Sequence, residues 1–146
     1  MVVRHRKENL VQCSLTPLAG RPGFTFITWP NRNFRLDATG MTLLAVDAPP
    51  LSREDRGRPL LVLDSTWKLL QDLFVSVVGE PVRRSIPTGY VTAYPRRSKV
   101  YPDPSAGLAS IEAIALARHI FGEDEPGLLD SYRWRDAFMA QLAKRG

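Results

Sequence analysis

The chain has 146 residues, 44% hydrophobic and 24% charged, a composition that suits one globular domain over residues 1–146 and excludes a disordered tail or a two-domain enzyme. With 20 Lys and Arg against 15 Asp and Glu, the formal charge is +5, which favours polyanionic partners without naming one. A single cysteine, Cys13, and two histidines, His5 and His119, exclude an intramolecular disulfide and a Cys/His metal cluster.

No apolar run nears the roughly 18 residues of a membrane span. The basic start, Arg4, Arg6 and Lys7, has no apolar stretch behind it and reads as a basic arm of a cytoplasmic protein. Residues 8–18 read as a first strand closed by Pro17, residues 24–29 as a second and residues 41–46 as a third. Residues 48–59 are too polar and Pro-rich for anything but a loop with one turn of helix. Leu60-Leu-Val-Leu63 is continuously apolar, the form of a strand buried on both faces of a parallel sheet, and it ends at Asp64.

From Thr66 the period changes: Leu70, Leu73, Phe74 and Val77 recur at helical intervals until Gly79 and Pro81. Strand, turn and helix in this order form an α/β unit. Residues 83–87 make a connection, residues 90–94 a short strand and residues 95–107 an irregular Pro- and Arg-rich stretch. Leu108, Ile111, Ile114, Ala115, Ala117 and Ile120 give a helix an apolar face up to Gly122. A last helix over residues 127–144 turns Leu128, Leu129, Tyr132, Phe138, Met139 and Leu142 inward. His119 reads as a helical residue rather than a base, and the acidic residues 123–125 as a linker rather than a metal site.

The segment Leu60-Leu-Val-Leu-Asp-Ser-Thr-Trp67, an apolar strand running into Asp-x-Thr-Trp, resembles the signature of the DTW-domain proteins. That family is grouped with ribosome-biogenesis enzymes carrying Asp-Cys-Ser-Trp at this place. Ile86-Pro87 stands at the position of the family's Leu-Pro, and Leu108-Ala-Ser-Ile-Glu-Ala113 at that of its Leu-Ser-Thr-x-Glu-Ala, in the same order. The resemblance implies a SPOUT-like α/β fold, a parallel sheet flanked by helices with a C-terminal trefoil knot. It also implies S-adenosylmethionine (SAM) as group donor, and transfer of its 3-amino-3-carboxypropyl (acp) group to a uridine-type base of tRNA or rRNA. A monomer is expected.

Asp64 stands where a strand ends and a helix begins, the edge at which open α/β sheets bind ligands. Its carboxylate either holds the donor's ammonium, accepts the base's proton as catalytic residue, or caps the helix that follows. Trp67 packs either on the sulfonium or extruded base or into the core. With Leu63, Thr66, Ile86, Pro87, Leu108 and Ser110 it makes up the donor-binding set implied by the resemblance. Arg83, Arg84, Arg96, Arg97 and Lys99 flank the pocket in sequence and read as a phosphate rim for RNA, with Tyr94 and Tyr101 placed to stack on bases.

Two departures bear on function. Ala109 replaces the Ser of the family's helix start, so Glu112 lacks the hydroxyl of a capping box, and the Cys-rich N-terminal segment of tRNA-modifying members has no counterpart, which leaves the RNA open. Residues 94–101 also lack the Asn-Pro and Tyr-Gly pattern of the ribosomal branch. A SPOUT-type methyltransferase and a non-catalytic RNA-binding relative are therefore the competing readings.

Overall fold

The computed structural model describes residues 1–7, 15–45, 47–65, 67–87, 110–123 and 127–145. Five short strands form one parallel sheet: β1 (Val2–His5), β2 (Phe26–Trp29), β4 (Thr42–Leu44), β5 (Leu60–Asp64) and β7 (Val82–Arg84), in the order β2-β1-β5-β4-β7. Two further pairs of residues, β3 (Leu36–Asp37) and β6 (Val77–Val78), make a small parallel sheet of their own. The helices are α1 (Trp67–Ser76), α2 (Ser110–Phe121) and α3 (Arg135–Arg145).

Side chains alternate across a strand, so each strand feeds both layers. From β1 and β5, Val2 and Val62 face α2 and α3, meeting Ile111, Ile114, Leu116, Phe138 and Leu142. Val3 and Leu61 face the other way and pack with Trp29, Leu43 and Leu73, the last from α1. Helices thus cover both faces, as a parallel sheet requires. The continuously apolar run at residues 60–63 is a central strand for this reason.

The sequence reading errs at the start of the chain. Of Arg4, Arg6 and Lys7, expected as a basic arm, Arg4 lies in Val2–His5, a fully buried strand next to the sheet's centre, while Arg6 and Lys7 are exposed in the turn after it. Residues 15–18, expected to close a first strand, form a turn with a 3-10 helix at Thr16–Leu18, while residues 8–14 lie outside the described residues. Arg4 and His5 are buried because Asp64 and Asp72 meet them, at 3.5 Å each, and neither partner is near in sequence. Three smaller corrections follow. The helix expected to include Val77 stops at Ser76, because Val77–Val78 pairs with Leu36–Asp37. The last helix starts at Arg135, with residues 127–130 in turns, and Met139 is exposed while Leu128, Leu129, Tyr132, Phe138 and Leu142 are buried. The expected connection at residues 83–87 begins as strand β7. The expected strand at residues 90–94 lies outside the described residues.

Gly79 shows why α1 and its following strand end where they do. Its φ is +87°, and a Cβ there would run into Asp37 Oδ1 and Thr39 Oγ1. Those two atoms form a turn in which the Thr39 N–H and hydroxyl both donate to Asp37 Oδ1, at 3.0 and 2.7 Å. The backbone bond first, and the hydroxyl second, hold the Asp37 carboxyl below its ordinary value. Gly79→Ala is expected to lower stability by about 2 kcal/mol, read by urea unfolding, since it adds left-handed strain to a clash.

Candidate functional site

All five strands are parallel, so their C-terminal ends share one edge, where His5, Asp64 and Arg84 end their strands. At the middle of that edge Asp64 is 6% exposed. The hydroxyl of Ser110, the first residue of α2, donates to Asp64 Oδ1 at 2.8 Å. Arg4, the register partner of Asp64 on β1, places Nε 3.5 Å from Oδ2. This contact is an ion pair without hydrogen-bond geometry. A strand end, a neighbouring strand and a helix start are thereby joined at one carboxylate.

The Arg4 side chain is only 10% exposed, and its guanidinium lies 5.0 Å from the centroid of the Phe26 ring. Its Nη2 is buried with no hydrogen-bond partner among the described residues, and the same holds for Ser65 Oγ, one residue past Asp64. Leaving a buried donor unmade costs about 1–3 kcal/mol, more for a charged group, and such groups are rare enough that each calls for an explanation. Two of them beside one buried carboxylate mark this edge as chemically unfinished.

Of the residues predicted from sequence, Asp64, Leu63, Ile86, Pro87 and Ser110 fall at this edge. Leu63 is half-buried on the face covered by α1, and Ile86 packs against the opposite core. Trp67 opens α1, with its side chain outside the described residues. Thr66, Leu108, Arg96, Arg97, Lys99, Tyr94 and Tyr101 lie outside the described residues altogether. The two predicted rim arginines of β7 separate: Arg83 is exposed, whereas Arg84 turns inward, with Nε 3.1 Å from Oδ1 of the buried Asp55. Asp55 also receives Arg58 and accepts the Ser52 N–H at 2.9 Å, so Arg84 belongs to a structural cluster that ties β7 to the loop before β5.

Sequence reasoning missed Arg4 and Ser65. Arg4 carried no local signal, because its partner lies on a strand far along the chain; Ser65 was legible only as part of the Asp-Ser-Thr-Trp motif. On the opposite face, His5 is stacked on Trp29 at 4.4 Å between ring centroids, and its Nδ1 accepts the Lys7 N–H at 3.1 Å. Trp29 Nε1 donates to Ser76 Oγ at 2.7 Å. These bonds fix the end of β1 and with it the position of Arg4.

A cavity of about 220 Å³ opens away from this edge, at the N-terminal ends of the strands, between Val62, Ile114, Phe121, Arg58 and Arg118. None of the residues predicted from sequence as site residues lines it. Among the described residues no His, Cys, Asp and Glu group able to hold a metal ion occurs, and no helix is long and apolar enough to cross a membrane.

No sequence-family profile matches the chain, and no curated protein matches it by sequence. Among solved structures, the SAM-dependent rRNA:acp-transferase Tsr3 from Vulcanisaeta distributa is similar over 99% of this chain and 78% of its own, with a TM-score of 0.73 and 23% sequence identity. The likeness establishes the α/β fold with its parallel sheet and flanking helices.

Proposed function

We propose that the protein is an RNA-modifying transferase that uses SAM as donor and places its 3-amino-3-carboxypropyl group on a uridine-type base, with rRNA the first substrate to test. The observation that carries this reading is the position of Asp64. The one carboxylate of the Asp-Ser-Thr-Trp motif stands buried at the C-terminal end of a central parallel strand, in a chain whose fold matches that of an rRNA:acp-transferase over nearly its whole length. Membership of the DTW group, the SPOUT-type trefoil knot, a single domain and a cytoplasmic location belong to the same proposal.

The residues present fit such a donor. A zwitterionic, sulfonium-bearing molecule needs an anionic group, hydrogen-bond donors and an apolar wall. Asp64 supplies the first, Arg4 Nη2 and Ser65 Oγ the second, and Leu63 and Ile86 flank the edge with apolar surface. When bound, SAM would supply a sulfonium-activated carbon: the bond from the base nitrogen to the acp carbon held in line would form as that carbon's C–S bond breaks, and methylthioadenosine would leave with the electron pair. Asp64 accepts the proton released by the attacking base nitrogen. Ser110 holds the carboxylate in place and joins its position to the start of α2.

The test is incubation of the purified protein with SAM and rRNA or tRNA transcripts, followed by mass analysis of the nucleosides. A gain of the aminocarboxypropyl mass is expected. A methyl increment would instead assign a methyltransferase, and unchanged RNA with no SAM binding a non-catalytic RNA-binding relative.

The two arginines of β7 give a second check. Arg83→Ala is expected to weaken RNA binding across sequences and to reduce the salt slope by about one. Arg84→Ala is expected to leave that slope unchanged and to destabilise the fold by about 2 kcal/mol, because Asp55 stays buried with one fewer partner. Filter binding at several salt concentrations, with urea unfolding beside it, separates the two.

A further inference from the structure

We propose that Arg4 is the residue that binds the carboxylate of the donor's aminocarboxypropyl chain, beside Asp64, whose carboxylate holds the donor's ammonium in addition to accepting the base's proton, so that the pair reads the α-amino-acid end of SAM. The inference rests on the SAM-dependent reading above and names the specificity element within it. An α-amino acid presents a cation and an anion on one carbon. A protein site that recognises both therefore needs an acid and a base held a few ångströms apart in fixed orientation. β1 and β5 supply that arrangement: Arg4 and Asp64 are register partners in adjacent parallel strands, with Nε and Oδ2 3.5 Å apart.

The pair is not a closed salt bridge. Arg4 makes no geometrically sound hydrogen bond through Nε, and its Nη2 is buried with no hydrogen-bond partner among the described residues. The Phe26 ring, 5.0 Å away, covers the guanidinium's surroundings with apolar surface and offers no acceptor oxygen. A guanidinium with two of its nitrogens, Nε and Nη2, removed from water and without a hydrogen-bond partner among the described residues has a strong demand for an anionic acceptor. A planar carboxylate matches its fork. The neighbouring Ser65 hydroxyl, likewise shielded and without a hydrogen-bond partner among the described residues, adds a neutral donor at the same edge. A phosphate of the RNA has the same charge but reaches from the exposed side, whereas Arg4 is nine-tenths buried next to the catalytic carboxylate; the small donor is the better fit.

The experiment is calorimetric titration of the full chain with three ligands: SAM, its decarboxylated analogue, which keeps the ammonium and sulfonium, and methylthioadenosine, which lacks the amino-acid chain. The unmodified protein is expected to bind SAM at least about tenfold more tightly than the decarboxylated analogue, the range of a charged hydrogen bond. Arg4→Met is expected to bring the two affinities within about twofold of each other while leaving that for methylthioadenosine unchanged. If the unmodified protein binds SAM and the analogue equally, or if Arg4→Met keeps the full preference, Arg4 does not hold the carboxylate and the assignment is overturned while the SAM-dependent reading stands. If the unmodified protein binds no SAM, the SAM-dependent reading itself falls and takes this assignment with it. Should Arg4→Met fail to fold by circular dichroism, Arg4→Lys decides the question: a preference reduced to about threefold supports the assignment, and an undiminished one overturns it.

Discussion

Asp64→Asn is expected to slow group transfer by at least about a hundredfold and to destabilise the fold by about 3 kcal/mol. The two effects have different origins. The asparagine oxygen still accepts the Ser110 hydroxyl, so the start of α2 keeps its anchor. What disappears is the negative charge, and with it the proposed acceptor of the base's proton and the counter-charge 3.5 Å from Arg4 Nε. A guanidinium that is nine-tenths buried then lies beside the ring of Phe26 without that counter-charge. Removing Arg4 as well should therefore restore stability. The Asp64→Asn, Arg4→Met double variant is expected to recover most of the loss in urea unfolding while remaining inactive, because breaking one half of a buried pair is worse than replacing both. Transfer that persists in Asp64→Asn would place the proton acceptor elsewhere; unchanged stability would show that the long ion pair contributes nothing.

Phe138→Ala is expected to cost about 4 kcal/mol, a large share of a total that for a domain of this size is about 5–15 kcal/mol. Phe138 is fully buried on α3 and belongs to the cluster that joins Val2 of β1, Val62 of β5 and the apolar face of α2. Truncating it opens a void where two helices and the two central strands meet, and rigid neighbours cannot close it. Met139, the next residue, is 44% exposed, so Met139→Ala serves as the matched control and should change stability by less than about 0.5 kcal/mol. A small effect at Phe138 in urea unfolding would show that α3 is not part of the cooperative core. Because Val2 and Val62 sit two positions before Arg4 and Asp64 on the same strand faces, the variant also loosens the layer beneath the site. A drop in SAM affinity alongside the loss of stability is expected.

Much of the scaffold was legible in the residue pattern. The apolar run at residues 60–63 could satisfy its side chains only as a strand covered on both faces. The spacing of Ile111, Ile114 and Ala115 could bury only as one helical stripe, and all three are buried in α2. Asp64 and Ser110 were legible as candidates through two separate motifs, and the hydrogen bond between them joins positions that the chain keeps 46 residues apart. Periodicity describes neighbours along the chain, so it locates elements and their inward faces. It carries no information on which strand lies beside which.

That second kind of information decided the rest. Val2-Val3-Arg4-His5 reads as a basic, solvated start, since charged residues stay in water unless a partner meets them. The partners, Asp64 and Asp72, arrive only when β5 and α1 pack against β1. The same reason separated Arg83 from Arg84, identical in sequence character: Asp55 reaches one and not the other. By itself the sequence determined an α/β chain, the strand that ends in a carboxylate, and the motif around it. The tertiary structure alone decided which charges are buried, because the energy of a buried charge is set by the groups across from it, and those are brought there by the fold.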